Sequence, residues 1–140
     1  MPLNGFTSLC SKNAKQIVSR DKGNPQYHKA NNGSNSEVTH YQIDGEVIKT
    51  GDRCDYLLMN ETSKTAYLIE LKGSDLVKAA SQLEATENAL RSQLVEYQLQ
   101  YRIVANKCKT QEIHSSAYRK YQIRWKSRLL QKTGYIEEKI

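Results

Sequence analysis

Glu70, Leu71 and Lys72 close an apolar run, Ala66-Tyr67-Leu68-Ile69, and Asp55 opens another, Tyr56-Leu57-Leu58-Met59. Side chains of a strand alternate between faces, so Glu70 and Lys72 share one side while Leu71 turns into the core between them. An acid and a base then flank one point. The polar stretch from Asn60 to Thr65 suits a hairpin connection, which lays the strand that starts at Asp55 beside the one that ends at Glu70. Two carboxylates brought to about 5 Å repel by roughly 3 kcal/mol at an effective dielectric near 20, so the folded pair favours a divalent cation between them. The pattern reads as a metal site carried on a sheet. In isolation Glu-x-Lys at a strand end is an ordinary cross-strand ion pair. The second acid-bearing strand and the apolar flanks of both make the metal reading the stronger one.

Such a site needs elements to hold it. Val38–Ile43 and Glu46–Ile48 read as a hairpin about Asp44-Gly45, a pair suited to the positive φ angles of tight turns, and strands at 54–59 and 66–72 follow. After Gly73, Ser74 or Asp75 can cap a helix whose Leu76, Ala79, Ala80, Leu83, Leu90 and Leu94 return at helical spacing. Gln98–Cys108 alternates as a further strand, with Leu99, Tyr101, Ile103 and Ala105 on one face, and strand, helix, strand implies a parallel crossover. A second helix is predicted over Ser115–Lys132, with Tyr118, Tyr121, Trp125 and Leu129 as its apolar stripe. Upstream, residues 11–20 read as a brief helix and 21–36 as a polar loop, while the tail from Gly134 to Ile140 gives no pattern.

The order of a strand with Asp (Cys54-Asp55-Tyr56-Leu57-Leu58), a strand with Glu-x-Lys (Tyr67-Leu68-Ile69-Glu70-Leu71-Lys72-Gly73) and a helix carrying Gln82-Leu83 resembles the restriction-endonuclease-like, PD-(D/E)xK nuclease superfamily. The resemblance covers roughly residues 38–108. It implies an α/β fold with an αβββαβ core, a mixed central sheet flanked by helices, and cleavage of phosphodiester bonds with Mg²⁺, Mn²⁺ being able to substitute. Asp55 and Glu70 would take the metal, and Lys72 the third catalytic position. The proline that often precedes the first acid is Cys54 here, and for the further acid that many members carry upstream only Glu37 and Glu46 are candidates.

The chemistry fits these residue types. Mg²⁺ prefers one or two carboxylates, a carbonyl such as that of Leu71, several waters and a substrate phosphate. Bound there it would stabilise charge on the phosphoryl group and lower the pKa of an attacking water. The Lys72 ammonium would orient that water or pair with a phosphate oxygen. Gln82 is a candidate supporting group beside the acids.

Composition sets the frame. One domain is expected from 140 residues, with a core over about 38–108 and a basic helical extension over about 115–140. Charged residues make up 26% and mean hydropathy is −0.74, which with the absence of a long apolar run or a basic-then-apolar leader points to a soluble, cytoplasmic chain away from membranes. Cys10, Cys54 and Cys108 are widely spaced and make no CxxC pair, so reduced thiols are expected. His28, His40 and His114 have no cysteine at zinc spacing and read as hydrogen-bonding residues. Glycine-rich phosphate loops and a Gly-x-Ser-x-Gly elbow are absent, which leaves nucleotide-cofactor and serine-hydrolase chemistry without an anchor.

Net charge is +6, and its distribution says more than its size. Residues 1–97 carry 11 Lys or Arg against 12 Asp or Glu, whereas residues 98–140 carry 10 against 3. A basic C-terminal part suits a polyanion, because neutralised phosphates release counterions. Arg119, Lys120, Arg124 and Lys126 on the last helix are the candidate nucleic-acid contacts, with DNA favoured over RNA by the resemblance. The alternative is a catalytically idle nucleic-acid-binding or accessory subunit on the same fold. A homodimer is a further expectation, through the stripe of the last helix.

Overall fold

The computed structural model describes residues 3–73, 75–106 and 110–140, with Lys72, Gly73 and Thr110 described by backbone alone. Strands β1 (Gln16–Arg20), β2 (Tyr27–Asn31) and β3 (Val38–Gln42) precede β4 (Tyr56–Asn60) and β5 (Thr65–Gly73). Helix α1 (Leu76–Ala89), strand β6 (Gln98–Ala105) and helices α2 (Thr110–Ile113) and α3 (Ser116–Trp125) come next. A 3₁₀ turn, Lys126–Arg128, leads into β7 (Leu129–Thr133) and β8 (Tyr135–Lys139). The result is a mixed α/β protein with two mixed sheets.

The larger sheet has the order β3-β4-β5-β6-β7. Its first three strands are antiparallel neighbours, and β6 and β7 run parallel to β5 and to each other. Period-two alternation sorts its side chains into two cores. Leu57, Met59, Ala66, Leu68, Tyr101 and Ile103 face α1 and α3, where they meet Leu76, Leu83, Tyr118, Tyr121 and Trp125. Tyr56, Leu58, Tyr67, Ile69, Leu71 and Val104 face the smaller sheet, of order β1-β2-β8, through Ile17, Ala30 and Ile136. The main sheet is thus buried on both faces. That explains why β4 is buried along its whole length.

Helix α1 starts where the Asp75 carboxylate accepts the amide of Lys78 at 3.0 Å, a side-chain cap that satisfies one of the open N–H groups of the first turn. Its crossover returns β6 beside β5, and Tyr101, Ile103 and Ala105 share the face read from the sequence.

Several expectations are corrected. Residues 16–20 form β1 and not a helix: Ile17 and Ser19 are buried between exposed neighbours, a period of two. The expected loop contains β2, whose inward residues are His28 and Ala30. The hairpin about Asp44-Gly45 reduces to one isolated bridge between Asp44 and Ile48, because β3 pairs with β4 instead. The helix expected to reach Lys132 ends at Trp125, and Leu129 belongs to β7. Lys126 has φ 51° and ψ −129°, values that no α-helix continues. The uninterpreted tail forms β8, which begins after Gly134 (φ 88°) turns the chain out of one sheet and into the other.

Candidate active site

The two acids meet across neighbouring strands. The β4–β5 ladder registers Tyr56 against Ile69, so one further step sets Asp55 opposite Glu70, and the amide of Asp55 donates to the Ile69 carbonyl at 3.1 Å. Parity does the rest: Asp55 lies in phase with Leu57, and Glu70 with Ala66 and Leu68, all on the α1 side. Both carboxylates are buried, at 5% and 7% exposure. The amide of Leu71 donates to Asp55 Oδ2 at 2.8 Å, which ties one acid to the backbone immediately beyond the other. Leu71 itself is fully buried on the opposite face, as alternation requires.

Helix α1 fixes the start of β4. The Cys54 amide donates to Thr86 Oγ1 at 2.7 Å, and that hydroxyl donates to the Gln82 carbonyl at 3.0 Å. Burial pushes the Cys54 thiol well above its ordinary range; the carboxylates of Glu70 and Asp55 push the same way against an opposing hydrogen bond at Thr86. Such a thiol stays protonated and is no nucleophile.

A polar cavity of about 220 Å³ lies over the pair, lined by Asp44, Asp52, Arg53, Asp55, Glu70 and Gln82. Gln82, on α1, lines the same cavity as the two acids. Lys72 lies at a pairing irregularity, where the register against β6 shifts between Leu71 and Gly73. Its side chain is outside the described residues. Leu71, whose carbonyl was expected to meet a metal, stands directly before this irregularity, registered against Val104.

The upstream acids fall elsewhere. Glu37 lies at the far end of β3, beside the Asn60 end of β4, and pairs with Lys12 at 3.3 Å on the surface. Glu46 is exposed in the turn after β3 and lines a different cleft with Phe6, Leu9 and Tyr41. Asp44 and Asp52 enter the acid cavity instead. The signal for Asp44 was present in the sequence as the Asp44-Gly45 pair, read there only as a chain reversal, whereas Asp52 carried no pattern of its own. Among the described residues no three His, Cys, Asp or Glu side chains stand gathered as a metal-holding group. Asp44 is engaged by Arg53, Nε to Oδ1 at 2.7 Å.

The basic candidates do not line this cavity. Arg119 and Lys120 are exposed on α3, Lys126 is exposed in the turn after it, and Arg124 pairs with Glu84 at 2.5 Å. A larger cleft, of about 530 Å³, lies beside Arg124 and Arg128. Its aromatic wall is a buried stack of Tyr101 on Trp125, with centroids 4.0 Å apart, and its Glu87 accepts the Tyr101 hydroxyl at 2.6 Å. That cleft lies where α1, β6 and the end of α3 meet.

Away from the acids, His28 and His40 are buried hydrogen-bonding residues between the two sheets, and His114 is exposed. Cys10 and Cys54 are free thiols, while Cys108 lies outside the described residues. No helix among the described residues is long and apolar enough to cross a membrane. No family model, no curated protein and no solved structure matches this chain.

Proposed function

We propose that this protein is a Mg²⁺-dependent nuclease of the restriction-endonuclease-like kind, acting on DNA in preference to RNA. The observation that carries the reading is the burial of Asp55 and Glu70 on one face of adjacent strands, opening into one polar cavity. Three antiparallel strands, a helix and a parallel strand over Val38–Ala105 support it, although β1 stands where that architecture has its first helix.

An all-oxygen donor set on neighbouring strands suits Mg²⁺, with Mn²⁺ as substitute. Asp55 and Glu70 would hold the ion, which when bound supplies charge stabilisation at phosphorus and a more acidic water. The protein's own part is positioning. Asp55 is held by the Leu71 amide, so its second oxygen is aimed and costs little reorganisation. Burial keeps bulk water from weakening the local field. Lys72 follows Glu70 by two residues and is assigned the substrate phosphate or the attacking water, and Gln82 closes the cavity from α1. Arg119 and Lys120, exposed and basic, are assigned the nucleic-acid backbone at a distance from the acids.

The test is cleavage of labelled duplex, single-stranded and branched DNA and RNA with Mg²⁺, Mn²⁺ or EDTA, beside Glu70→Ala. Metal-dependent products absent from the variant are expected. Substrate that stays intact in every metal, yet is shifted on a native gel, replaces the enzyme with a nucleic-acid-binding subunit on the same fold.

A further inference from the structure

Arg53 is the one cation among the described residues that line the acid cavity. It sits two residues before Asp55, and its guanidinium is held at two points: Nε donates to Asp44 Oδ1 at 2.7 Å and Nη1 to the Gly51 carbonyl at 2.6 Å. Gly51 has φ 81°, a conformation that glycine adopts without strain and that turns the loop so its carbonyl meets the arginine two residues on. The following residue, Cys54, is anchored to Thr86. A long side chain is thereby fixed at both base and tip, a quarter exposed, at the mouth of the cavity.

An ordinary loop ion pair would use the same two contacts and contribute little. Three features point further. Guanidinium carries five N–H donors, and the two N–H groups of Nη2 meet no acceptor among the described residues. The side chain shares its cavity with four carboxylates, those of Asp44, Asp52, Asp55 and Glu70, so an anion approaches that field only along a cation. The guanidinium also stays charged and can give Nη2 to a phosphate oxygen while Nε and Nη1 remain held by Asp44 and Gly51.

We propose that Arg53 grips a phosphate of the nucleic acid next to the bond addressed by Asp55 and Glu70, with Asp44 and the Gly51 carbonyl as its positioning groups. The assignment rests on the nucleic-acid reading above. It places the phosphate contact nearest the acids on the loop before β4 and leaves the more distant contacts to α3.

The experiment is fluorescence anisotropy of a labelled DNA duplex in EDTA over a salt series, with wild type, Arg53→Gln, Arg53→Lys and Glu70→Ala, alongside cleavage in Mg²⁺ and thermal melting. Arg53→Gln is expected to weaken binding about tenfold, equally for unrelated duplex sequences, and to reduce the slope of log K against log salt by about 0.9. Arg53→Lys keeps the slope, because the charge remains, but cleaves more slowly. A merely structural arginine would lower the melting temperature and leave the slope unchanged, and that result overturns the proposal. So does a reduced slope in Arg53→Lys, the variant that decides if Arg53→Gln fails to fold, and so does a wild type that binds no duplex. Cleavage that survives in Glu70→Ala, or is absent from wild type, overturns the nuclease reading while the salt slope still judges Arg53.

Discussion

The hydroxyl of Thr86 occupies a small but consequential place: it accepts the Cys54 amide at 2.7 Å and sits wholly buried between α1 and the start of β4. Thr86→Val keeps the volume and removes the acceptor, so a buried N–H loses its partner. The expected cost is about 1–3 kcal/mol, seen as a lower urea midpoint, with Thr86→Ser restoring most of it. Because Asp55 follows directly, cleavage should fall more than stability explains. Glu70→Gln makes the complementary change, keeping shape and removing charge. Turnover should drop by several powers of ten while the melting temperature stays close to wild type, measured by gel assay and calorimetry on one preparation. A large loss of fold in Glu70→Gln would instead assign Glu70 to structure.

At the scale of elements, the sequence was legible wherever apolar residues kept a period. Strands β4, β5 and β6 and helix α1 carry Leu, Ile, Val and Met at the inward positions, and with them came the pairing of Asp55 with Glu70 and the placement of Gln82. The smaller sheet was illegible for the converse reason. Its inward positions include Ser19, His28 and Glu138, polar residues that are satisfied only by partners distant in sequence. Nothing local announces that β2 will pair with β8 more than a hundred residues later. Asp44 was missed because an Asp-Gly pair reads as a turn whatever its carboxylate touches. Helix α3 was overextended since Leu129 continues the stripe and no glycine or proline marks the end. Lys126 stops it in a backbone region that side chains rarely adopt, a conformation that costs about 1–3 kcal/mol. Lys126→Gly should therefore stabilise the protein, raising the melting temperature by a few degrees. A lower melting temperature would mean that the Lys126 side chain contributes more than its backbone costs.

The two sheets pack over an apolar core, and the few ionisable groups buried with it set the response to acid. Glu138 on β8 accepts from His28 Nε2 and Arg102 Nε, each at 2.7 Å, so β2, β6 and β8 share one carboxylate. Burial raises its pKa, but the hydrogen bonds from His28 and Arg102 outweigh this and hold it near about 2, against an ordinary 4.5. Nearby, His40 bonds Ser19 at 2.8 Å and stacks on Tyr56; burial, reinforced by the proximity of His28, lowers its pKa from 6.5 to about 4. Both folded values lie below the unfolded ones, so in each window the unfolded chain binds more protons and stability falls as pH falls. The His40 contribution is complete above about pH 6.5 and is lost on descent to about 4, an effect on the order of 3 kcal/mol. The Glu138 contribution is lost between about 4.5 and 2, as the carboxylate linking the sheets protonates. Urea unfolding at steps from pH 7.5 to 3.5 should show a decline that begins before any carboxylate titrates. His40→Gln, which keeps an acceptor for Ser19 but cannot gain a proton, should be flat from pH 7 to about 5 and fall only below that. If the variant declines in parallel with wild type over that upper window, the acid sensitivity lies in another group and His40 is not the residue that loosens the two sheets.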